Sequence, residues 1–165
     1  MAEEQRRERV RELLKMIELD PEKFLSRKPS QLSGGQKQRL CIAHALAAIP
    51  EIIICDEVTS ALDRLVAKEI LGLLARLQSE LGLSIIFITH DLEIVETLSQ
   101  DIVVMKNGRI VESGATERVF IPPHDPYTEL LLLSVPQMDP DWLNRVLLDR
   151  RKSQKSTTAD AGSDA

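Results

Sequence analysis

Apolar positions along the chain recur with helical and strand-like periods. Over residues 8–19, Val10, Leu13, Leu14 and Ile17 fall at i, i+3, i+4 and i+7, which predicts an amphipathic helix with one apolar stripe. Asp20-Pro21-Glu22 supplies a cap and a proline at a first helical position, so a short second helix opens there. After a loop around Pro29, a helix is predicted from about residue 35 to 48, stopped by Pro50. Ile52-Ile53-Ile54-Cys55 is wholly apolar and bounded by a proline and by Asp56-Glu57, the pattern of a strand buried on both faces. The next helix carries Val66, Ile70, Leu73, Leu74, Leu77 and Leu81 on one side and ends at Gly82. A second buried strand over 84–89 closes at His90-Asp91, and a short helix runs on to about residue 98. Segments 102–106 and 109–112 flank Asn107-Gly108 and predict a hairpin. Residues 116–120 read as one or two helical turns, and Pro122-Pro123 breaks the chain. A helix follows over Pro126–Leu133, and a last one is expected over 142–148. Residues 151–165 have no apolar period and read as a disordered tail. Strand, helix, strand, helix and hairpin make an α/β layer preceded by a small helical piece.

Composition narrows the classes. At 165 residues, the chain can bury one real core. A hydrophobic content of 43% with 28% charged residues is that of a soluble globular chain. A net charge of −5 without a dense basic block argues against non-specific nucleic-acid binding, and 3% aromatics argue against base-stacking platforms. Cys41 and Cys55 sit in apolar runs without metal spacing, so both are expected to be buried packing thiols in a reducing compartment. The charged start shows no signal peptide, and no apolar run approaches the roughly 20 residues that span a bilayer. A membrane role is therefore expected to come through a partner.

Candidate chemistry lies at four places. Ser33 is a good N-cap, and Gly34-Gly35 lets another molecule approach bare first-turn N–H groups, which suit a phosphate. The same residues by themselves also fit a flexible turn ahead of a helix. Asp56-Glu57 ends a buried strand, where open α/β sheets place ligands. Neighbouring strand residues point opposite ways, so one acid can hold Mg²⁺ and the other can orient a water. A pair of acids can equally just terminate a hydrophobic strand. His90 ends the next strand and should share that rim, where a neutral imidazole can donate to a phosphate; alone it also fits a cap or a surface position. His44, on a helix, and His124, in a proline-rich loop, carry no site by this reading.

Together and in this order, the pieces resemble the ATP-binding subunits of ABC transporters. Leu32-Ser33-Gly34-Gly35-Gln36 is similar to the family signature, and 52–57 to the Walker B strand with its glutamate. Ser60-Ala61-Leu62-Asp63 is similar to the D-loop and His90 to the switch histidine. Residues 108–114 resemble the family's G-x-h-x-E-x-G segment. The wording of residues 56–63, with Pro126-Tyr127-Thr128 and the leucine run before Val135-Pro136, most resembles the subunits that drive oligopeptide and dipeptide importers. His44 departs from the arginine usual in that helix.

The resemblance implies a partial P-loop NTPase fold, an α/β, mostly parallel sheet with flanking helices behind part of a helical subdomain. It implies part of the helical subdomain in 1–50, the C-terminal part of the ATPase core in 51–121, an importer-type extension in 122–150 and a tail in 151–165. The implied ligands are ATP and Mg²⁺. Ser33, Gly34, Gly35 and Gln36 would meet the γ-phosphate bound mainly by an opposite subunit. Asp56 would help hold the metal, Glu57 would polarise the attacking water, His90 would touch the γ-phosphate, and Asp63 would couple the two sites. The implied partners are transmembrane permease subunits and a second ATP-binding subunit, at the cytoplasmic face of the inner membrane. No iron–sulfur cluster is expected, since no cysteine follows Cys55.

None of the seven glycines belongs to a G-x-x-x-x-G-K-[ST] loop. The chain therefore reads as a C-terminal half that is not expected to hydrolyse ATP on its own, with apolar sheet surface open for another polypeptide. The alternatives are a non-catalytic binding module and half of a split ATPase that needs a partner chain. A chromosome-maintenance or repair ATPase fits less well, because no sustained heptads occur.

Overall fold

A computed structural model of the chain describes residues 3–134. The expected helix over 142–148 and the tail over 151–165 lie outside the described residues. The chain divides into two compact units, residues 1–91 and residues 92–165.

In the first unit the order is α1 (Glu3–Met16), α2 (Pro21–Phe24), a 3₁₀ turn (Pro29–Gln31), α3 (Gly34–Leu46), β1 (Ile52–Asp56), α4 (Arg64–Leu81) and β2 (Ser84–Ile88). Helix α1 begins and ends earlier than the apolar stripe predicts. Its early turns are charged, good helix formers joined by a Glu3–Arg7 pair at i, i+4. Its end is set by Glu18, which takes a left-handed φ of 59°. There the Leu19 N–H bonds the Leu14 carbonyl at 2.9 Å and the Glu18 N–H bonds that of Lys15 at 3.0 Å. That crossed pair is a Schellman ending with glutamate where glycine is usual. Helix α4 also ends on a left-handed residue, Gly82, with φ 64°, where the Gly82 and Leu83 N–H groups both bond the Gln78 carbonyl. Asp63 caps the start of α4 by accepting the Val66 N–H at 3.0 Å.

β1 and β2 pair in parallel across the α4 crossover, from Ile52 against Ser84 to Asp56 against Ile88. The carboxyl ends of both strands therefore share one rim. Behind the pair, Leu13, Leu14, Ile17, Ile42, Leu46, Ile53, Cys55, Ile70, Leu73, Leu74 and Leu77 form a single core with α1, α3 and α4. Burying such side chains contributes on the order of 1.5–3 kcal/mol each.

Two expectations are corrected here. The strands are buried on one face only: Ile53 and Cys55 face the core, while Ile52 and Ile54 are 55% and 65% exposed and Ile86 and Ile88 are 50% exposed each. All the helices of this core lie against one side of the pleat, so alternate residues part company. Cys41 is exposed, whereas Cys55 is buried. The apolar face of α3 is set by Ile42, Ala43 and Leu46, and Cys41 falls about 100° of helix rotation from Ile42. Leu81, too, stands exposed at the end of its stripe.

The second unit comprises α5 (Leu92–Leu98), β3 (Asp101–Lys106), β4 (Arg109–Ala115), α6 (Thr116–Val119) and α7 (Pro126–Leu133). β3 and β4 are antiparallel, with Lys106 against Arg109 across a two-residue loop and an irregularity between Val104 and Met105. Asn107 and Gly108 both have positive φ, 50° and 74°, the tight turn that matches strand twist. β4 runs three residues further than expected. Thr116 then closes the hairpin's end, its hydroxyl donating to the Ser99 carbonyl at 2.6 Å. Asp125 caps α7 by accepting the Tyr127 N–H at 2.8 Å. No described helix is long and apolar enough to cross a membrane.

Candidate functional site

The rim at the ends of β1 and β2 brings Glu57 and His90 together. Glu57 follows the last residue of β1 and turns sharply, with φ 48°. Its N–H bonds the Ile88 carbonyl at 2.9 Å, extending the ladder by one rung. Its carbonyl accepts both the Ser60 N–H at 3.1 Å and the Ser60 hydroxyl at 2.9 Å. A strained glutamate backbone is thus held from both sides, as strained residues at functional sites commonly are. The turn carries the side chain to His90, whose Nδ1 lies 2.9 Å from Glu57 Oε1. Thr89 steadies the loop by accepting the Asp91 N–H at 3.0 Å. The hydrogen bond to Glu57, then its negative charge and more weakly that of Asp91, push the His90 imidazole above its ordinary value. His90 remains largely exposed, so this pair stands open to an incoming group.

Asp56 alternates with Cys55 and so shares the bare face of Ile52 and Ile54. The two acids leave the strand in different directions. Among the described residues no cluster of three or more His, Cys, Asp or Glu is placed to hold a metal.

The mouth of α3 is built locally. Ser33 Oγ accepts the Gln36 N–H at 3.3 Å, and Gln36 Oε1 accepts the Ser33 N–H at 3.1 Å, a reciprocal capping box. The Lys37 N–H bonds the Ser33 carbonyl at 3.0 Å. Gly34 and Gly35 are then the first-turn donors without a described partner, and the helix dipole favours an anion there.

The glycines have a second reason to be small. A Cβ on Gly35 would stand 2.6 Å from Val66 Cγ1, and one on Gly34 would stand 3.3 Å from Leu62 Cδ2. The signature segment is thus packed on the turn that holds Asp63 and the first turn of α4. Asp63 itself spends one carboxylate oxygen on the cap of α4. The structure therefore joins Ser33–Gln36 to the Ser60–Asp63 turn, and joins Glu57 to His90 and Ser60.

One cluster escaped the reading of the sequence. Glu18 lies between Arg39 of α3 and Arg76 of α4, at 2.6 Å and 3.1 Å. Each arginine also donates to the end of α1, Arg39 to the Ile17 carbonyl at 3.1 Å and Arg76 to that of Met16 at 2.9 Å. The signal was present: Arg39 stands three and seven residues ahead of Ile42 and Leu46, a cation on an apolar stripe.

Comparison with known proteins now bears on this arrangement. Residues 1–60 match the family described as ABC transporter. Residues 111–162 match the family described as oligopeptide/dipeptide transporter, C-terminal region. The chain is 42% identical over 141 residues to the dipeptide transport ATP-binding protein DppF of Haemophilus influenzae, covering 86% of this chain and 43% of that one. It is 47% identical over 140 residues to the probable peptide ABC transporter ATP-binding protein y4tS of Sinorhizobium fredii, covering 85% and 39%. Among solved structures, the ATP-binding cassette MJ0796, in a dimeric post-hydrolysis state bound to ADP and Pi, matches with a TM-score of 0.60 and 41% identity. That match covers 70% of this chain and 49% of the other. The chain thus spans less than half the length of the curated relatives it matches. The expected α/β fold and the resemblance both hold: the chain is similar to the ATP-binding proteins of ABC transporters and matches the oligopeptide/dipeptide transporter C-terminal region near its end.

Proposed function

We propose that residues 1–165 supply the C-terminal half of an ATP-binding and ATP-hydrolysing subunit of an ABC importer, for oligopeptides or dipeptides. The observation that supports this most is the meeting of Glu57 with His90 on one rim, 2.9 Å apart, at the ends of two parallel strands. Phosphoryl transfer is mainly positioning and charge neutralisation, and this rim offers an acid and an imidazole in contact, with a second acid on the preceding residue. Glu57 polarises the attacking water. His90, exposed and readily protonated, donates to the γ-phosphate. Asp56 holds Mg²⁺, which neutralises phosphate charge when bound. Ser33, Gly34, Gly35 and Gln36 present a helix mouth to the γ-phosphate bound mainly by a second ATP-binding subunit. Asp63, at the turn packed on that mouth, carries the state of one site to the other. Closure of two such subunits moves transmembrane permease subunits, so the chain works at the cytoplasmic face of the inner membrane.

In this proposal the phosphate loop comes from a polypeptide stretch outside residues 1–165. A second reading, a half that acts only once joined to another chain, is favoured by the exposed isoleucine face of β1 and β2. The isolated chain is expected to show no tight Mg-ATP binding by titration calorimetry. Added polypeptide carrying a G-x-x-x-x-G-K-[ST] loop should restore binding and turnover. Tight binding by the chain alone overturns the assignment of the phosphate loop to a separate stretch.

A further inference from the structure

The end of α1 is an unusual place for a glutamate. Its left-handed backbone, φ 59°, is the one that glycine adopts without strain, and the matching end of α4 does use Gly82. The side chain suggests why glutamate is tolerated there. Both carboxylate oxygens are occupied, Oε2 by Arg39 and Oε1 by Arg76. The two guanidinium groups also satisfy the last carbonyls of α1, at Ile17 and Met16. Arg39 extends its second nitrogen to Glu69 at 3.4 Å, and Arg76 its other one to Glu80 at 3.0 Å. Arg39 is only 12% exposed. One carboxylate therefore ties the end of α1 to both α3 and α4, through residues 21 and 58 positions away.

Arg39 lies six residues beyond Ser33 on α3, and the mouth of that helix rests on α4 through Gly35 and Val66. The separation of α3 from α4 is thus controlled at two points, a contact of two small surfaces at the mouth and an ionic knot further along. We propose that Glu18 is a positioning residue, whose double arginine grip sets the stance of α3 on α4 and so holds the Ser33–Gln36 mouth in place. That the mouth is for phosphate rests on the function proposed above; that Glu18 holds it does not.

The experiment is amide hydrogen exchange on the full chain without nucleotide, comparing the parent with Glu18→Gly and Glu18→Gln. Glycine removes the grip while easing the backbone, so a residue that merely ended α1 would be improved by it. The expected result is faster exchange of the Gln36 and Lys37 amides in both variants, by about threefold to fivefold, the scale of one or two screened ion pairs. The Glu57 and Ser84 amides, in the strand ladder, should keep their rates. The gap between parent and variant should narrow at about 1 M salt, where screening reaches roughly 3 Å. Unchanged rates at Gln36 and Lys37, equal acceleration at all amides, or a gap indifferent to salt would each overturn the proposal. Because no ATP is present, failure here leaves the ATPase reading standing, and failure of that reading leaves this result intact.

Discussion

Glu18 and Glu57 make an instructive pair. Both are glutamates with left-handed backbones, at φ 59° and 48°, and both direct a carboxylate at a nitrogen base. Their partners differ. Glu18 meets two guanidinium groups, which stay charged at every physiological pH and also bond the end of a helix. Glu57 meets one exposed imidazole, which can lose its proton or turn to another acceptor. The same strained residue thus builds a permanent knot where its partners cannot titrate, and a releasable contact where its partner can. Strain alone does not separate a fixed contact from a releasable one; the titratability and exposure of the partner do.

That contrast can be broken most forcefully at Glu57. In an assembly that hydrolyses ATP, Glu57→Gln is expected to keep nucleotide binding and to lower turnover by about 10²-fold or more, the scale of a lost general base. Steady-state hydrolysis with parallel binding measurements checks this, and unchanged turnover removes Glu57 from its role. Glu18→Gln in the same assay should lower turnover far less, by about fivefold at most, the scale of one or two screened ion pairs.

A smaller effect is expected at the mouth between the two sites. Gly35→Ala puts a methyl 2.6 Å from a β-branched side chain on α4, which has little rotamer freedom in a helix. Overpacking should cost about 1–3 kcal/mol, offset in part by alanine's helix propensity of about 1 kcal/mol. Urea unfolding measures the net, and Gly34→Ala, facing a leucine at 3.3 Å, should lose less.

Smaller still is the backbone term. Glu57→Gly relieves a left-handed residue and, at a pH above the raised His90 value where its contact contributes nothing, should raise stability by about 0.5–1 kcal/mol. Glu18→Gly gains the same relief but forfeits half-exposed ion pairs worth about 0.2–1 kcal/mol each, so its unfolding midpoint should hardly move. If the two substitutions shift the midpoint equally, the difference drawn between the two glutamates is lost.

The finest distinction is in pH. His90 has a folded value raised chiefly by its hydrogen bond to Glu57, so what that contact contributes is complete below the ordinary histidine range. It is lost as pH rises through the raised value. Glu18 has a lowered carboxyl, held down first by the Arg39 hydrogen bond, so its contribution is present above the ordinary glutamate range and lost as pH falls through the lowered value. A proton NMR titration should place the His90 midpoint above about 6.5 and return it toward that value in Glu57→Gln. An unmoved midpoint would show that the contact does not persist in solution.

The candidate site was legible in parts. Ser33, Asp63 and Asn107-Gly108 act on backbone groups within three residues of themselves, so a short window of sequence contains both partners. The strands β1 and β2 were legible as apolar runs, and their parallel pairing followed from the intervening helix. What stayed hidden depended on distant partners. Gly35 reads as an opening for a ligand until Val66 is found beside it. Cys41 reads as buried until the face of α3 is fixed by the residues it packs on.

The chain's own sequence determined the elements, their caps, the turn chemistry and the order of acids and histidine that marks the family, because those depend on local propensity and period. Only the tertiary structure decided that the isoleucine strands are covered on one side, that Glu57 reaches His90, and that Glu18 is gripped by Arg39 and Arg76. Those are contacts across 21 to 58 residues, and which side chains meet at such a range is settled by how helices and strands pack; a short stretch can flag a misplaced cation such as Arg39 but cannot name its partner.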